Sequence, residues 1–235
     1  MISETDAPLS TYFGKPEIDY RTLKLIVGLI AVTMGGVTRF FAACNITSIS
    51  ESYYLGGWAQ SFFVGFLFAI AAFLLAYNGL SQAELVLSKV AAFAGLAVAL
   101  FPCSCTPKDE PCVHVISLKT VPGVHYVSAA IMFVILAYFC YVFYRRARGK
   151  GHKEAMRRAG VYVVCGLTIV ASILTVLANE ISHDALVNAV PRLIFWCELA
   201  GLVAFGISWL TASRVLPVLT SPKERFSPLR LVNPE

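Results

Sequence analysis

Charged residues are scarce in this chain. They make up 14% of its 235 residues, whereas soluble domains carry about 25%. Hydrophobic residues reach 57% and the mean hydropathy is +0.71. These values exclude an ordinary soluble domain. They predict an all-α polytopic membrane protein with most of its length in the lipid bilayer.

Several functional patterns are also missing. No basic stripe interleaved with aromatic residues lies outside one predicted cytoplasmic loop, so we expect no nucleic-acid partner. No internal repeat or broken helix is visible, which disfavours a transporter. No basic region precedes the first apolar run, so the sequence predicts no cleaved secretory signal. Residues 1–22 are instead expected to form a cytoplasmic tail.

The stretch that orients the chain is Val124 to Arg158. It begins with a 21-residue apolar run, Val124 to Tyr144, which at 1.5 Å per residue crosses the roughly 30 Å hydrocarbon core of a bilayer. Seven Lys and Arg residues and a single acid follow, between Arg145 and Arg158. Because basic residues are retained on the cytoplasmic side, we predict that this loop is cytoplasmic and attracts anionic lipid headgroups.

Five further apolar runs predict a bundle of six transmembrane helices with both termini in the cytoplasm. The segments placed inside hold 15 of the 19 Lys and Arg residues, as the positive-inside rule requires. We therefore assign residues 23–213 to the membrane domain and residues 214–235 to a cytoplasmic tail, in a prokaryotic inner (plasma) membrane. The predicted spans are Leu23–Ala43, Trp58–Tyr77, Leu85–Phe101, Val124–Tyr144, Gly160–Ala178 and Leu193–Leu210.

Unusual polar residues collect at the outer ends of the predicted spans. Ionisable groups within membranes usually face the bundle interior and mark function, so we predict a polar pocket open to the outer leaflet or outer face. It would bind a lipid headgroup or small ligand, or belong to an accessory membrane subunit with protein partners in the membrane. The candidate ligand-binding residues are Arg39, Glu51, Gln60, His125, Ser128, His183 and Glu198.

Glu198 is the most informative of these residues. A carboxylate five residues inside the last span needs a proton, a cation or a metal. Pairing with Arg39 is the structural interpretation, and contact with a ligand is the functional one. A zinc site with His125 and His183 would instead suit a membrane-embedded, metal-dependent lipid hydrolase. No HExxH spacing supports zinc, so we predict no metal or cofactor, favour binding and assign no catalytic residue.

Four cysteines lie on the predicted outer side. Cys103, Cys105 and Cys112, together with His114, resemble the spacing of metal ligands. Cys44 makes an even number of cysteines in an oxidising compartment, so disulfide bonds are favoured over a metal or iron–sulfur site. Three connectivities are open if all four cysteines pair.

Five stretches resemble known proteins: SISESYYLGG, FFVGFLFAIAAFLLAYNG, ALFP, HYVSAA and FWCELAGLVAFGISWL. Over roughly Ile46 to Leu210 the chain resembles a family of uncharacterised six-span prokaryotic membrane proteins, and it is more distantly similar to the DRAM-like family. That family has an Ile-Ser-acid motif after span one, a His followed by small residues opening span four, and Glu-Trp in span six. The resemblance implies a six-helix bundle and a lipid-related role, without a reaction. The matching positions are Ile49-Ser50-Glu51, His125 with Ser128-Ala129, and Glu198, whereas Ser52, Tyr53 and Cys197-Glu198 depart from the pattern.

The predicted topology can be tested by labelling. A cysteine introduced by Lys150→Cys should react with a membrane-impermeant maleimide only after cells are opened, because the basic loop faces the cytoplasm. A cysteine introduced by Asn45→Cys should react in intact cells. The parent chain, with its native cysteines, supplies the background. Labelling of the Lys150→Cys variant in intact cells would contradict the topology.

Overall fold

The computed structural model describes residues 20–103, 121, 123–221 and 224–225. The predicted all-α fold class is confirmed within these residues: six helices are long and apolar enough to cross a membrane, and no strand occurs among them. The chain is therefore an integral membrane protein. The α-helices are α1 (Tyr20–Phe41), α2 (Gly57–Ala76), α3 (Gln82–Leu100), α4 (Val124–Arg148), α5 (Lys153–Ile181), α6 (Ala185–Ala189) and α7 (Leu193–Ser213).

The six long helices form a closed ring. Each of α1 to α5 packs against the next in sequence, and α7 closes the ring by packing against both α5 and α1. The short helix α6 lies in the connection between α5 and α7. Large hydrophobic side chains remain exposed on the outside of the ring, as expected for a surface that lipid solvates.

An aromatic cluster fills part of the interior. Trp209 is fully buried, and its ring centroid lies 5.3 Å from those of Tyr77 and Phe205. The centroids of Phe139 and Phe143 lie 6.1 Å from it. Such tilted and edge-to-face pairs add about 0.5–1.5 kcal/mol each beyond the burial of their area, so this cluster joins α2, α4 and α7.

A capping box starts α3. The hydroxyl of Ser81 accepts a hydrogen bond from the Glu84 backbone N–H at 3.3 Å and donates to Glu84 Oε1 at 2.9 Å. The first of these bonds satisfies a backbone donor that the first turn of a helix otherwise leaves free. The second fixes the Glu84 carboxylate at the end of the bundle where α4 ends. We call this end, which carries Arg146, the Arg146 end.

The opposite end, which carries Glu198, is covered by the segment between α1 and α2; we call it the Glu198 end. Ile46 and Ile49 are buried there, and a short 3-10 helix spans Ser50–Tyr54. The backbone N–H of Phe195 donates to Thr47 O at 3.0 Å. These contacts tie the segment to the start of α7 and direct its polar side chains into the bundle.

Helices α1 and α7 approach most closely at two glycines. A Cβ atom on Gly28 would lie 2.7 Å from Leu210 Cγ and 2.9 Å from the carbonyl oxygen of Gly206. A Cβ atom on Gly206 would lie 2.8 Å from the carbonyl oxygen of Gly28. Small residues at such contacts allow helix backbones to pack directly in membranes. The contact therefore closes the ring.

We expect Gly28→Ala to destabilise the protein by about 1–3 kcal/mol, because the added methyl group overpacks a backbone contact. Gly36→Ala is the matched control on the same helix, since nothing lies within 4 Å of its added Cβ atom. Thermal unfolding in detergent would measure both variants. Equal stabilities for the two variants would contradict the close contact.

Candidate functional site

Two groups of polar side chains lie at opposite ends of the bundle. The first is the Glu198 cluster, which consists of Ser50, His125 and Glu198. The second surrounds a cavity at the Arg146 end, which we call the basic cavity. The sequence predicted the first group in part and did not predict the second.

Ser50 links the two ionisable members of the Glu198 cluster. Glu198 Oε1 accepts a hydrogen bond from Ser50 Oγ at 3.1 Å, and Oε2 accepts from the backbone N–H of Ile49. The same Ser50 Oγ lies 3.1 Å from His125 Nε2. His125 Nδ1 lies 2.8 Å from the carbonyl oxygen of Phe101. Residues from three separate segments therefore meet at one hydroxyl group.

The hydrogen bonds restrict where protons lie in this cluster. His125 Nδ1 carries a hydrogen because its partner, a carbonyl oxygen, only accepts. Two arrangements then satisfy every group: Nε2–H donates to Ser50 and Ser50 donates to Glu198, or protonated Glu198 donates to Ser50 and Ser50 donates to Nε2. The two differ only by proton transfer through the hydroxyl of Ser50.

The other charged residues predicted for this end have different partners. Arg39 donates to Asn45 Oδ1 and, although both residues are described, forms no ion pair with Glu198. The Arg39–Glu198 pair considered from the sequence is therefore wrong. Glu51 is buried and accepts hydrogen bonds from the backbone N–H of Thr47 at 2.6 Å and from its hydroxyl at 2.9 Å.

The remaining predicted residues do not join the cluster through any described hydrogen bond. Gln60 and Ser128 are half-buried, on α2 and α4 respectively. His183 is exposed in the turn that follows α5. In the described part of the chain no three His, Cys, Asp or Glu side chains are grouped to hold a metal ion. Of the two histidines considered for zinc, His125 belongs to the Glu198 cluster, whereas His183 is exposed after α5, so the structure does not group both with a carboxylate.

The cysteines divide into two sets. Cys140, Cys165 and Cys197 are free thiols within the helices. Cys44 and Cys103 are not free thiols, and no two cysteines among the described residues lie at disulfide distance from each other. Cys105 and Cys112 lie outside the described residues. The predicted disulfide bonds of the third loop therefore stay a prediction.

The basic cavity has a volume of about 120 Å³ and is partly open. One water molecule needs only about 10–15 Å³ measured in this way, so the cavity has room for a group the size of a phosphate. Its basic lining comes from α1, α4, the connection after α4, α5 and the end of α7. The basic residues that line it are Lys24, Arg146, Lys150, Arg158 and Arg214.

Glu84 neutralises one of these cations. Its side chain is almost fully buried, and its carboxylate accepts hydrogen bonds from Arg146 Nη2 and from the hydroxyl of Tyr77. A buried charge needs such an opposite charge together with hydrogen bonds. The sequence signal that could have identified Glu84 is the Ser-x-x-Glu capping box at the start of α3.

Glu224 lies in the segment that follows α7, described at residues 214–221 and 224–225, which we call the C-terminal segment, and it contacts three of the other cations. Its carboxylate accepts hydrogen bonds from Lys150 Nζ at 2.6 Å and Arg158 Nη2 at 3.1 Å, and lies 3.2 Å from Arg214 Nη1. The hydrogen bond from Lys150 and the neighbouring guanidinium groups lower the pKa of Glu224 to about 2. The carboxylate is therefore ionised at any physiological pH.

Lys24, the fifth cation, faces aromatic rings. Its Nζ atom lies 5.2 Å from the ring centroid of Tyr77 and 5.1 Å from that of Phe143, within the range of cation–π attraction. Glu84 and Glu224 are the acids that pair with cations of the lining among the described residues. The cavity is thus positively charged and suited to an anion.

Comparisons with protein-family models, curated proteins and solved structures found no match. The resemblance to six-span prokaryotic proteins and to the DRAM-like family therefore stays a prediction.

We expect Glu198→Gln to keep the stability of the parent to within about 1 kcal/mol, because its amide oxygen can accept from Ile49 and its amide nitrogen can donate to Ser50. Glu198→Leu should destabilise the protein by about 1–3 kcal/mol, since it leaves the Ile49 N–H without its acceptor. Thermal unfolding in detergent measures both. Equal loss in both variants, or none in Glu198→Leu, would contradict the hydrogen-bonding role.

Proposed function

We propose that this integral membrane protein binds a ligand that carries an anionic phosphate group, and that this group lies in the basic cavity. The observation that carries the proposal is the convergence of five basic side chains on one cavity of about 120 Å³. Three of them belong to the basic stretch from Arg145 to Arg158, and the fold adds Lys24 from α1 and Arg214 from the end of α7 to the same cavity.

Phosphate is the anion that this lining suits best. Guanidinium groups donate parallel hydrogen bonds to phosphate oxygens, and lysine adds a mobile positive charge. Arg158 and Arg214 point their guanidinium groups at the same carboxylate, that of Glu224. Since a carboxylate and a phosphate accept from the same donors, this geometry favours an oxyanion at that position.

With the predicted topology, in which both termini are cytoplasmic, the cavity lies at the cytoplasmic face of the membrane. The proposed phosphate can then belong to a lipid headgroup or to a soluble molecule. The basic loop from Arg145 to Arg158 was predicted to attract anionic headgroups. The basic cavity would add a defined site to that diffuse attraction.

The proposal moves the ligand away from the outer end, where the sequence predicted it. In the Glu198 cluster Ser50 and His125 are buried, and the hydroxyl of Ser50 lies within hydrogen-bond distance of both His125 and Glu198, so the three groups of the cluster have partners within the protein. Binding at the outer face and an accessory role stay predictions from the sequence, with lipid hydrolysis as the alternative and transport as the less favoured third reading. An inner-membrane location and disulfide bonds in the third loop also stay predictions.

The binding site can be tested with charge-matched variants. The protein in phosphatidylcholine nanodiscs should gain thermal stability when inorganic phosphate is added or when phosphatidic acid replaces part of the lipid, because a ligand stabilises the state that it binds. The double variant Lys150→Gln, Arg214→Gln should lose at least about tenfold in apparent affinity, since it removes two charged donors. The double variant Lys153→Gln, Arg157→Gln removes the same charge from exposed positions and should bind as the parent does.

The outcomes separate the sources of the phosphate. Stabilisation by phosphatidic acid alone identifies a lipid headgroup, and stabilisation by inorganic phosphate identifies a soluble anion. Equal loss in both double variants would mean diffuse attraction to the basic loop and would overturn the proposed site. No stabilisation of the parent by either anion would also overturn it.

A further inference from the structure

We propose that the C-terminal segment regulates the basic cavity, because the Glu224 carboxylate holds the cations that a phosphate group would need. The segment acts as an internal competitor: a phosphate ligand displaces Glu224, and loss of the Glu224 charge tightens phosphate binding. This inference rests on the proposed function of the cavity and names how access to it is controlled.

The contacts of Glu224 overlap with the lining of the cavity. Lys150, Arg158 and Arg214 each line the cavity and each bind the Glu224 carboxylate. His152 Nε2 also lies 3.7 Å from Glu224 Oε2. Within the described part of the chain, the charged or titratable groups that contact Glu224 are therefore Lys150, Arg158, Arg214 and His152, and none of them is an acid. Three of the five cations cannot give the same donors to a ligand while Glu224 is in place.

A second contact ties the same segment to the cavity. Arg158 is 3% exposed, and its Nη1 donates to the carbonyl oxygen of Leu219 at 2.7 Å. Its Nη2 donates to Glu224. Thr220, next to Leu219, is 2% exposed. One guanidinium group thus holds both a backbone and a side-chain acceptor of the C-terminal segment.

The chemistry of these contacts makes them exchangeable. A phosphate group offers more oxygens and more charge than a carboxylate, and it can accept from several donors at once. Lys150 and Glu224 keep 35% and 21% of their side-chain surface exposed, so water reaches their ion pair. Exposed ion pairs contribute little stability, and a strong oxyanion can replace one partner.

A charge-matched pair of variants tests the inference. Glu224→Gln should bind inorganic phosphate about tenfold more tightly than the parent. In the parent only those molecules in which Glu224 has released the cations can bind phosphate, and this lowers the apparent affinity of the parent. Glu154→Gln removes an acid from the same basic loop, on a residue that does not line the cavity, and should change the affinity by less than about twofold. Binding is measured by thermal shift in phosphatidylcholine nanodiscs.

A second readout follows the segment itself. Peptide-level labelling of a Thr220→Cys variant with a maleimide should accelerate when phosphate is added, because displacement exposes a buried position. The Thr220 hydroxyl has no hydrogen-bond partner, so the substitution removes no bond.

Each outcome has a distinct meaning. Tighter binding in Glu224→Gln together with faster labelling supports the inference. If the parent binds phosphate but Glu224→Gln binds equally or more weakly, the regulatory role is overturned and the proposed site stands. If neither protein binds phosphate, both the site and its regulation are overturned.

Discussion

Charge that is removed from water must be matched by opposite charge or by hydrogen bonds, and this constraint governs both polar ends of the bundle. At the Glu198 end the carboxyl, hydroxyl and imidazole groups satisfy one another within the protein. At the Arg146 end Glu84 matches one cation, and Glu224 is shared among three others. One end is therefore closed by its own contacts, whereas the other keeps an excess of positive charge around a cavity.

The closed ring of helices is what places these groups. Direct contact of α1 and α7 at Gly28 and Gly206 brings the two sequence-distant ends of the membrane domain together. Lys24 near the start of α1 and Arg214 after α7 then line the same cavity. Lys24 and the C-terminal segment thus meet at one cavity, although nearly the whole chain separates them in sequence.

Much of this fold could be predicted from the sequence, because apolar length and basic asymmetry report directly on the membrane. Hydropathy located the six spans but not the helix ends: α5 begins at Lys153 and not at the predicted Gly160, since His152 caps a basic turn by accepting from the Ala155 N–H. Depth alone predicted His125 and Glu198 in one outer pocket, and the structure links them through Ser50. Depth does not reveal which side of a helix a residue occupies, so Arg39 was paired wrongly and Ser50 was missed.

The basic cavity was missed because membrane topology already explained every basic residue, and no local pattern links Glu224 to Arg158.

The central claim is that a phosphate group lies among the cavity cations. It is tested most directly by solid-state NMR of the protein in bilayers of a phosphorus-free glycolipid, with nitrogen-15 in its arginine side chains and with a phosphate ligand as the one source of phosphorus. The account predicts dipolar coupling between the phosphorus and the guanidinium nitrogens of both Arg158 and Arg214. In the Arg214→Gln variant the Arg214 coupling should disappear and the Arg158 coupling should remain. Coupling confined to the exposed arginines of the basic loop would contradict it.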